Sequence, residues 1–346
     1  MTKDPGGAPP RISVIVPAHD AAATLARCLT ALRASALEHD ELIVVDDGSG
    51  DDSARIAQEM SHQVVRLAAC RGAGAARNAG ARVATGSILL FIDADVVVSP
   101  DILQQVRHDL TSHPEVVAVQ GVYRSPGLVE SAPSRYQNDY YHYALCRVPG
   151  DYTSVFATWC GAVYREAFWE AGGFDERIPG ATVEDEEFGY ALVDKGFLVL
   201  LDRELLVDHL ADYSLSGLLS RRFRMGRSQM KSALRNVRLR LLRRYANVGR
   251  NLTHHSRRVI MAIPVSFAIV VALLLTAFMR RSALLVAFLG CWVLLAALAA
   301  GFLLHVAKVQ GWRAVPASMG LFWLDMLSVG CGLAVGAGEY LAGRKF

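Results

Sequence analysis

The segment SILLFIDADVVVSP, residues 87–100, sets Asp93 and Asp95 two positions apart at the end of an apolar run. In extended backbone, residues i and i+2 share a face, which predicts two carboxylates roughly 7 Å apart. At an effective dielectric of about 20 their repulsion costs on the order of 2 kcal/mol. A divalent cation between them reverses that sign. Held by Asp95, such a cation can also grip a diphosphate and neutralise a leaving group. Asp93, on the same face, can hold a ribose hydroxyl or a metal-bound water.

Three other stretches carry groups of the same kind. Asp46 and Asp47 in VVDDGSGDDS end a second apolar run, where their carboxylates can accept hydrogen bonds from a base edge and a ribose. CRGAGAARNAGARVATG, residues 70–86, is rich in Gly and Arg, so backbone N–H groups and Arg77 at a helix start can face an anion. It is neither a Walker loop nor a GxGxxG following the first strand. ATVEDEEFGYALVDKGF, residues 181–197, places four acids, Glu184 to Glu187, at a helix N-terminus. The macrodipole favours acids there, and one of them could serve as a general base, a role worth a factor of about 10² to 10⁴. His209, in LLVDHLADYS, is a side chain of metal-ligating type.

These groups need a frame, and the first half of the chain supplies one. ISVIVPA (12–18), ELIVVD (41–46), VVRLAA (64–69) and SILLFID (87–93) read as strands that are apolar on both faces. Residues 22–35 show a helical period in Leu25, Cys28, Leu29 and Leu32. DSARIAQEM and RNAGARVATG read as the next helices. This alternation predicts an α/β domain with a parallel-rich sheet covered by helices. Ligands of such sheets bind beyond the carboxyl ends of strands, where Asp46, Asp47, Asp93 and Asp95 fall.

The second half is built for another environment. Residues 1–212 hold 17 Lys and Arg against 31 Asp and Glu, a net charge of −14. Residues 213–346 hold 19 basic residues against Asp325 and Glu339 alone, a net of +17. Apolar positions from Leu215 to Leu241 step by three or four, and thirteen basic residues with no acid run from Arg221 to Arg258. That pattern predicts basic amphipathic helices over 213–258 lying on anionic lipid. Three apolar stretches follow, 259–279, 283–305 and 314–338, each long enough to cross hydrocarbon. The basic run before them places the acidic domain on the cytosolic face of a multi-pass inner-membrane protein. Six cysteines without metal-ligand spacing read as reduced, mostly buried thiols. Residues 1–10 read as a loose tail.

Taken in order, VIVPAHD, VVDDGSGDDS, RGAGAARNAG, FIDADVVV, EAGGFDERI and VEDEEFGYALVDKG resemble glycosyltransferase family 2 with the GT-A fold, over about residues 11–212. The resemblance implies inverting transfer of a sugar from a nucleotide sugar, a UDP-sugar foremost, with Mn²⁺ or Mg²⁺ as cofactor. Pro17, Ala18, Asp20, Asp46, Asp47, Arg77 and Asp93 would then form the nucleotide site, and Asp95 and His209 the metal site. Asp185 would be the base, and Gly173, Phe174 and Glu184 would lie toward the acceptor. Processive polysaccharide synthases that resemble this family carry Q-x-x-R-W. Here Arg221-Arg222-Phe223-Arg224-Met225 keeps only the arginine, so a single transfer to a lipid or lipid-linked acceptor is expected over polymer synthesis. Nucleic acid is not an expected partner. A sugar nucleotidyltransferase needs a Gly-rich loop after the first strand, where this chain has PAHDAAAT. The remaining alternative is a membrane protein with a nucleotide-binding regulatory domain.

Overall fold

A computed structural model describes residues 9–238, 257–279 and 282–346. Most of the N-terminal tail, the end of the basic run and the Arg280-Arg281 pair therefore lie outside the described residues. The chain divides into two compact units. The first holds residues up to 122 and 149–210, and the second holds 123–148 and 211–346. Residues 123–148, expected inside the catalytic domain, thus belong to the second unit.

The first unit is organised by β1 (Ile12–Ala18), whose Ile12, Val14, Ile15 and Val16 are buried. It pairs in parallel with β2 (Glu41–Asp46) on one side and β4 (Ile88–Phe91) on the other, and β3 (Gln63–Arg66) extends beyond β2, also in parallel. Two-sided burial requires apolar runs, which is why these strands are legible as sequence. The sheet continues through β8 (Gly161–Tyr164), β6 (Val116–Tyr123), β9 (Leu198–His209) and β5 (Val96–Val98), with β7 (Tyr152–Thr153) also against β9. The β4–β8, β8–β6 and β9–β5 pairings are antiparallel, so a parallel half is joined to an antiparallel one.

Helices α1 (Ala22–Ser35), α2 (Ser53–Met60), α3 (Ala73–Val83) and α4 (Ile102–Ser112) follow β1, β2, β3 and β5. On α3, a Cβ at Gly80 would come 2.6 Å from Ile15 and 3.0 Å from Val45, so only glycine lets this helix lie so close to the sheet. Beneath the antiparallel half, Phe91, Phe156, Phe168, Phe174 and Phe188 form one buried aromatic cluster. Their offset and edge-on contacts suit the ring quadrupoles. Helices α6 (Arg165–Glu170) and α7 (Glu184–Asp194) complete the unit.

The second unit contains α5 (Ala132–Cys146), α8 (Leu215–Arg238) and three apolar helices, Arg257–Met279, Ser282–Gln310 and Val315–Leu341. By length and composition all three could cross a membrane. Its buried polar centre is Asp325, on the third apolar helix. Asp325 accepts hydrogen bonds from Arg222 Nε at 2.5 Å and Tyr136 OH at 2.8 Å, and no part of it is exposed. The amphipathic stripe expected to sink into lipid from α8 is instead partly packed on protein, with Leu218, Arg222, Met225, Lys231 and Ser232 buried. All six cysteines are free thiols. Cys28 and Cys160 are buried and Cys70 and Cys331 exposed, so burial is less general than expected.

Candidate active site

Asp93 and Asp95 do not lie in extended backbone. β4 ends at Phe91, and the chain turns at once, with the Val96 N–H donating to the Asp93 carbonyl at 3.1 Å. The expected same-face pair is thereby replaced by two carboxylates with separate partners. Asp93 Oδ1 accepts from Arg77 Nη2 at 2.7 Å, and Asp95 Oδ2 lies 3.3 Å from His209 Nε2. The second contact follows from strand pairing, because β5 and β9 set Val96 opposite His209. About a third of each aspartate side chain stays exposed, 30% and 33%, while His209 is buried. The repulsion anticipated between the two acids is thus met by a guanidinium on one side and an imidazole on the other.

Among the described residues, no cluster of three or more His, Cys, Asp and Glu could hold a metal ion. Asp95 and His209 nonetheless fit a divalent cation of the kind that keeps waters and substrate phosphates in most of its coordination positions. They offer one carboxylate oxygen and one imidazole nitrogen side by side, with the carboxylate reaching solvent.

Arg77 is the joint of the site. It is 3% exposed, and while Nη2 holds Asp93, Nη1 donates to Glu184 Oε1 at 2.8 Å. The expectation that Arg77 meets a phosphate does not fit this arrangement, because its charge already serves two protein carboxylates. Glu184, expected toward the acceptor, is buried, and its other oxygen accepts from the Thr182 N–H at 2.7 Å. Asp185 follows it at the start of α7 and is half-buried, accepting from the Glu186 N–H at 2.8 Å. Burial, then the charges of Glu184 and Glu186, push the Asp185 carboxyl well above the ordinary aspartate range, against the pull of Arg77. A half-buried carboxylate with a raised pKa has the character of a general base.

The acids at the end of β2 serve the backbone. Asp47 is buried, with Oδ1 accepting from the Arg71 N–H at 2.7 Å and Oδ2 from the Gly72 N–H at 2.8 Å. It therefore pins the loop entering α3, whose orphan N–H groups need an acceptor. Asp46 Oδ1 accepts from the Ser49 N–H at 3.0 Å and Oδ2 from Arg66 Nε at 3.3 Å. The expected direct contacts of Asp46 and Asp47 with base and ribose give way to this role of shaping loops. Asp20, in left-handed backbone at φ 49°, is exposed and accepts from the Gly50 N–H at 2.8 Å. It closes a rim above Pro17 and Ala18, of which Pro17 is half-buried and Ala18 buried.

Near α7, the Phe174 ring packs in the aromatic core with 2% exposure and cannot face an acceptor. This segment is held by Asn78, which no sequence motif singles out. Its Nδ2 donates to the Phe174 carbonyl at 2.8 Å, and its Oδ1 accepts from the Phe174 N–H at 3.0 Å. Glu176, also unremarked, gathers Asn78, Arg71 and Arg82. The only signal was the polar Asn78 inside the small-residue run AARNAG. Gly173, at φ 67°, turns the chain into that clasp.

Residues 13–172 match the family model described as Glycosyl transferase family 2. Validoxylamine A glucosyltransferase of Streptomyces hygroscopicus subsp. jinggangensis is 31% identical over 56% of this chain and 54% of its own. Chondroitin synthase of Escherichia coli is 31% identical over 30% of this chain and 16% of its own. The chain spans about half the length of the first of these curated relatives. In fold it is similar to the mannosyltransferase PcManGT from Pyrobaculum calidifontis, solved in complex with GDP-Man and Mn²⁺. The TM-score is 0.56 at 18% identity, covering 97% of this chain and 88% of that one. With its α/β sheet of GT-A type and its ordered acidic motifs, the stretch 13–172 is a glycosyltransferase family 2 domain.

Proposed function

We propose that the chain moves a sugar from a nucleotide-diphosphate sugar to a lipid or lipid-linked acceptor at the cytosolic face of a membrane, with inversion at the sugar carbon and a divalent cation as cofactor. The observation that carries this reading is the Arg77 bridge. It ties the turn bearing Asp93 and Asp95 to the acidic start of α7 in one buried contact pair, so groups suited to a donor diphosphate and to an acceptor hydroxyl belong to one site. The relatives named as glucosyltransferase and synthase, and the fold neighbour solved with GDP-Man and Mn²⁺, support the same reaction class.

Asp95 and His209 would hold the cation, which supplies charge neutralisation on the departing nucleoside diphosphate. Asp93, held by Arg77, keeps a fixed orientation toward the donor sugar or ribose. The Asp47-pinned loop 70–72 and the Asp20 rim shape the floor and edge of the nucleotide pocket beside Pro17 and Ala18. Asp185 takes the proton from the attacking hydroxyl, and its raised pKa lets it accept that proton near neutral pH. Inversion follows if the hydroxyl attacks directly from the face opposite the leaving group.

The acceptor follows from the second unit, whose apolar helices and basic surface suit a membrane. The test is a thermal-shift panel of nucleoside diphosphates with Mn²⁺ or Mg²⁺ on the detergent-solubilised chain, wild type beside Asp95→Asn. One nucleotide should raise the melting temperature only with metal, and Asp95→Asn should lose that metal-dependent part and its turnover. Undiminished metal-dependent binding and turnover in Asp95→Asn would overturn the metal assignment.

A further inference from the structure

Three helices have the length and composition to cross a membrane; the third packs on both of the others and, unlike them, is also joined to α8 over half its length. We propose that only the helices Arg257–Met279 and Ser282–Gln310 cross the bilayer. The third apolar helix instead lies with α8 at the membrane surface, and the C-terminus stays on the side of α8.

A seam joins α8 to the third helix. Residues of α8 and of the third helix meet in the same order along both chains, so the two helices run side by side in parallel. Arg222 meets Asp325, a Cβ at Gly226 would stand 2.6 Å from the Val329 carbonyl, and a Cβ at Gly332 would stand 2.2 Å from the Phe223 carbonyl. A Cβ at Gly336 would stand 2.3 Å from the Arg227 carbonyl. Farther on, Arg227 and Lys231 pair with Glu339 at 2.6 and 2.8 Å, and Arg235 lies over the Phe346 ring. Backbone contact at three glycines leaves no room for lipid between these helices. Wherever residues 325–346 lie, α8 lies too.

That coupling decides the depth. Between Arg221 and Arg238, α8 carries seven basic residues, and only Asp325 and Glu339 answer them with opposite charge from the third helix. Arg224 is exposed. A helix of this kind is excluded from hydrocarbon and suited to the headgroup region of an anionic surface. The part of the third helix free of α8 is then residues 312–324, thirteen residues or about 20 Å of helix. The hydrocarbon layer is about 30 Å thick, so this part cannot span it.

The other two helices meet the requirement. The first has 23 residues and the second 29, about 35 and 44 Å. Their distal parts are bare of protein, with Leu274 52%, Phe278 85%, Val286 69% and Leu289 54% exposed. The proximal end of the second is marked by tyrosines, since Tyr136, Tyr140 and Tyr143 of α5 surround Phe302 with centroids 5.5 to 5.7 Å away. One turn on, His305 meets Ser125 at 3.0 Å. These protein contacts, ending in polar partners, show that this end of the helix is enclosed by α5 and not by lipid. The chain therefore leaves the bilayer near residue 305 and enters the third helix at that surface.

The experiment is protease protection in sealed membrane vesicles of each orientation, made from cells expressing the full chain. One form carries an epitope tag after Phe346 and another a tag between Arg280 and Arg281. The C-terminal tag should be cleaved from the side that exposes α8, and the hairpin tag from the opposite side. A C-terminal tag protected on the α8 side and cleaved on the other shows a third crossing and overturns the proposal. So does a hairpin tag cleaved on the α8 side, which shows that the hairpin does not cross. Because a tag can disturb insertion, the untagged chain is treated with trypsin in the same vesicles. Loss of the residues after Arg344, read by mass, should occur from the α8 side and not from the other. None of these readouts depends on the glycosyl-transfer reading.

Discussion

Arg77 and Arg222 are both buried arginines held by carboxylates, one in each unit, and they differ in what those carboxylates can reach. Arg77 sits between Asp93, whose side chain is 30% exposed, and the buried Glu184 beside Asp185. Arg222 sits against Asp325, which is sealed, and Tyr141 OH at 3.2 Å. Each guanidinium leaves one nitrogen without a hydrogen-bond partner among the described residues, Nε in Arg77 and Nη2 in Arg222. A buried ion pair is weak evidence of stability by itself, because desolvation offsets most of its attraction. The comparison shows the two uses left for one. Arg77 orients a carboxylate that still reaches solvent, and Arg222 joins neighbouring helices.

The largest effect expected from this contrast is on folding. Arg222→Met strands Asp325 and should destabilise the detergent-solubilised chain by about 3 to 5 kcal/mol, read by thermal melting. Pairing it with Asp325→Leu should recover most of the loss, since no charge is then left buried. A single variant that melts like wild type would make Arg222 as replaceable as a surface residue and erase the contrast.

Next in size comes Asp185→Asn, which should lower kcat by about two decades, about 2.7 kcal/mol of barrier. Donor affinity should stay within a few-fold of wild type. Since burial raises the Asp185 carboxyl, wild-type kcat should fall as pH drops through a value above the ordinary aspartate range. A base must be ionised to accept a proton, and this sign follows from that alone. Loss of donor binding in Asp185→Asn would show that the base is misassigned.

Arg77→Gln should cost about a tenfold in kcat, the order of a lost charge-assisted pair, and it should also lower the melting temperature, because it leaves the buried Glu184 without its cation. Removing the guanidinium removes a charge that holds the Asp185 carboxyl down, so the acidic limb of the kcat profile should move to higher pH. An unchanged profile would reduce Arg77 to a packing role like that of Arg222.

The smallest effect concerns a carboxyl pair away from both arginines. Asp109 on α4 is buried, and burial followed by the charge of Asp202 pushes its carboxyl up to about 7. Its folded pKa is above its unfolded value, so its proton contributes stability in acid that is lost as pH rises toward 7. Asp109→Asn should therefore melt like wild type near pH 4 and at a higher temperature than wild type at pH 8.

How far the sequence revealed this can be judged residue by residue. β1, β2 and α1 begin where apolar runs and helical period place them, because burial on two faces or one stripe is written in composition. Helix α3 was read from Arg77 but begins at Ala73, since Gly74 and its small neighbours carry no periodic signal. The antiparallel half escaped notice because its strands are joined through residues 123–148, which fold with the other unit. In the site, the residue types were legible and their partners were not. That His209 meets Asp95 depends on a strand register across more than a hundred residues. That Arg77 faces inward depends on Glu184, itself distant in sequence. The turn at 92–95 was hidden by the apolar residues on either side, which look like one continuous strand.

The excursion of residues 123–148 bears on how such a protein can be cut, fused or recombined. The chain leaves the first unit after Val122, returns at Pro149 and leaves again after Leu210. A soluble enzyme made by stopping near residue 210 would keep α5 while discarding Phe302, Phe322 and the rest of its packing surface, leaving Tyr136, Tyr140 and Tyr143 bare. Exchanging the C-terminal region between relatives as a cassette strands the same helix with a foreign partner. The second unit is not a simple C-terminal addition, because residues 123–148 belong to it. Substitutions in α5 and in the apolar helices therefore bear on one packed cluster, although α5 ends more than a hundred residues before the first of those helices.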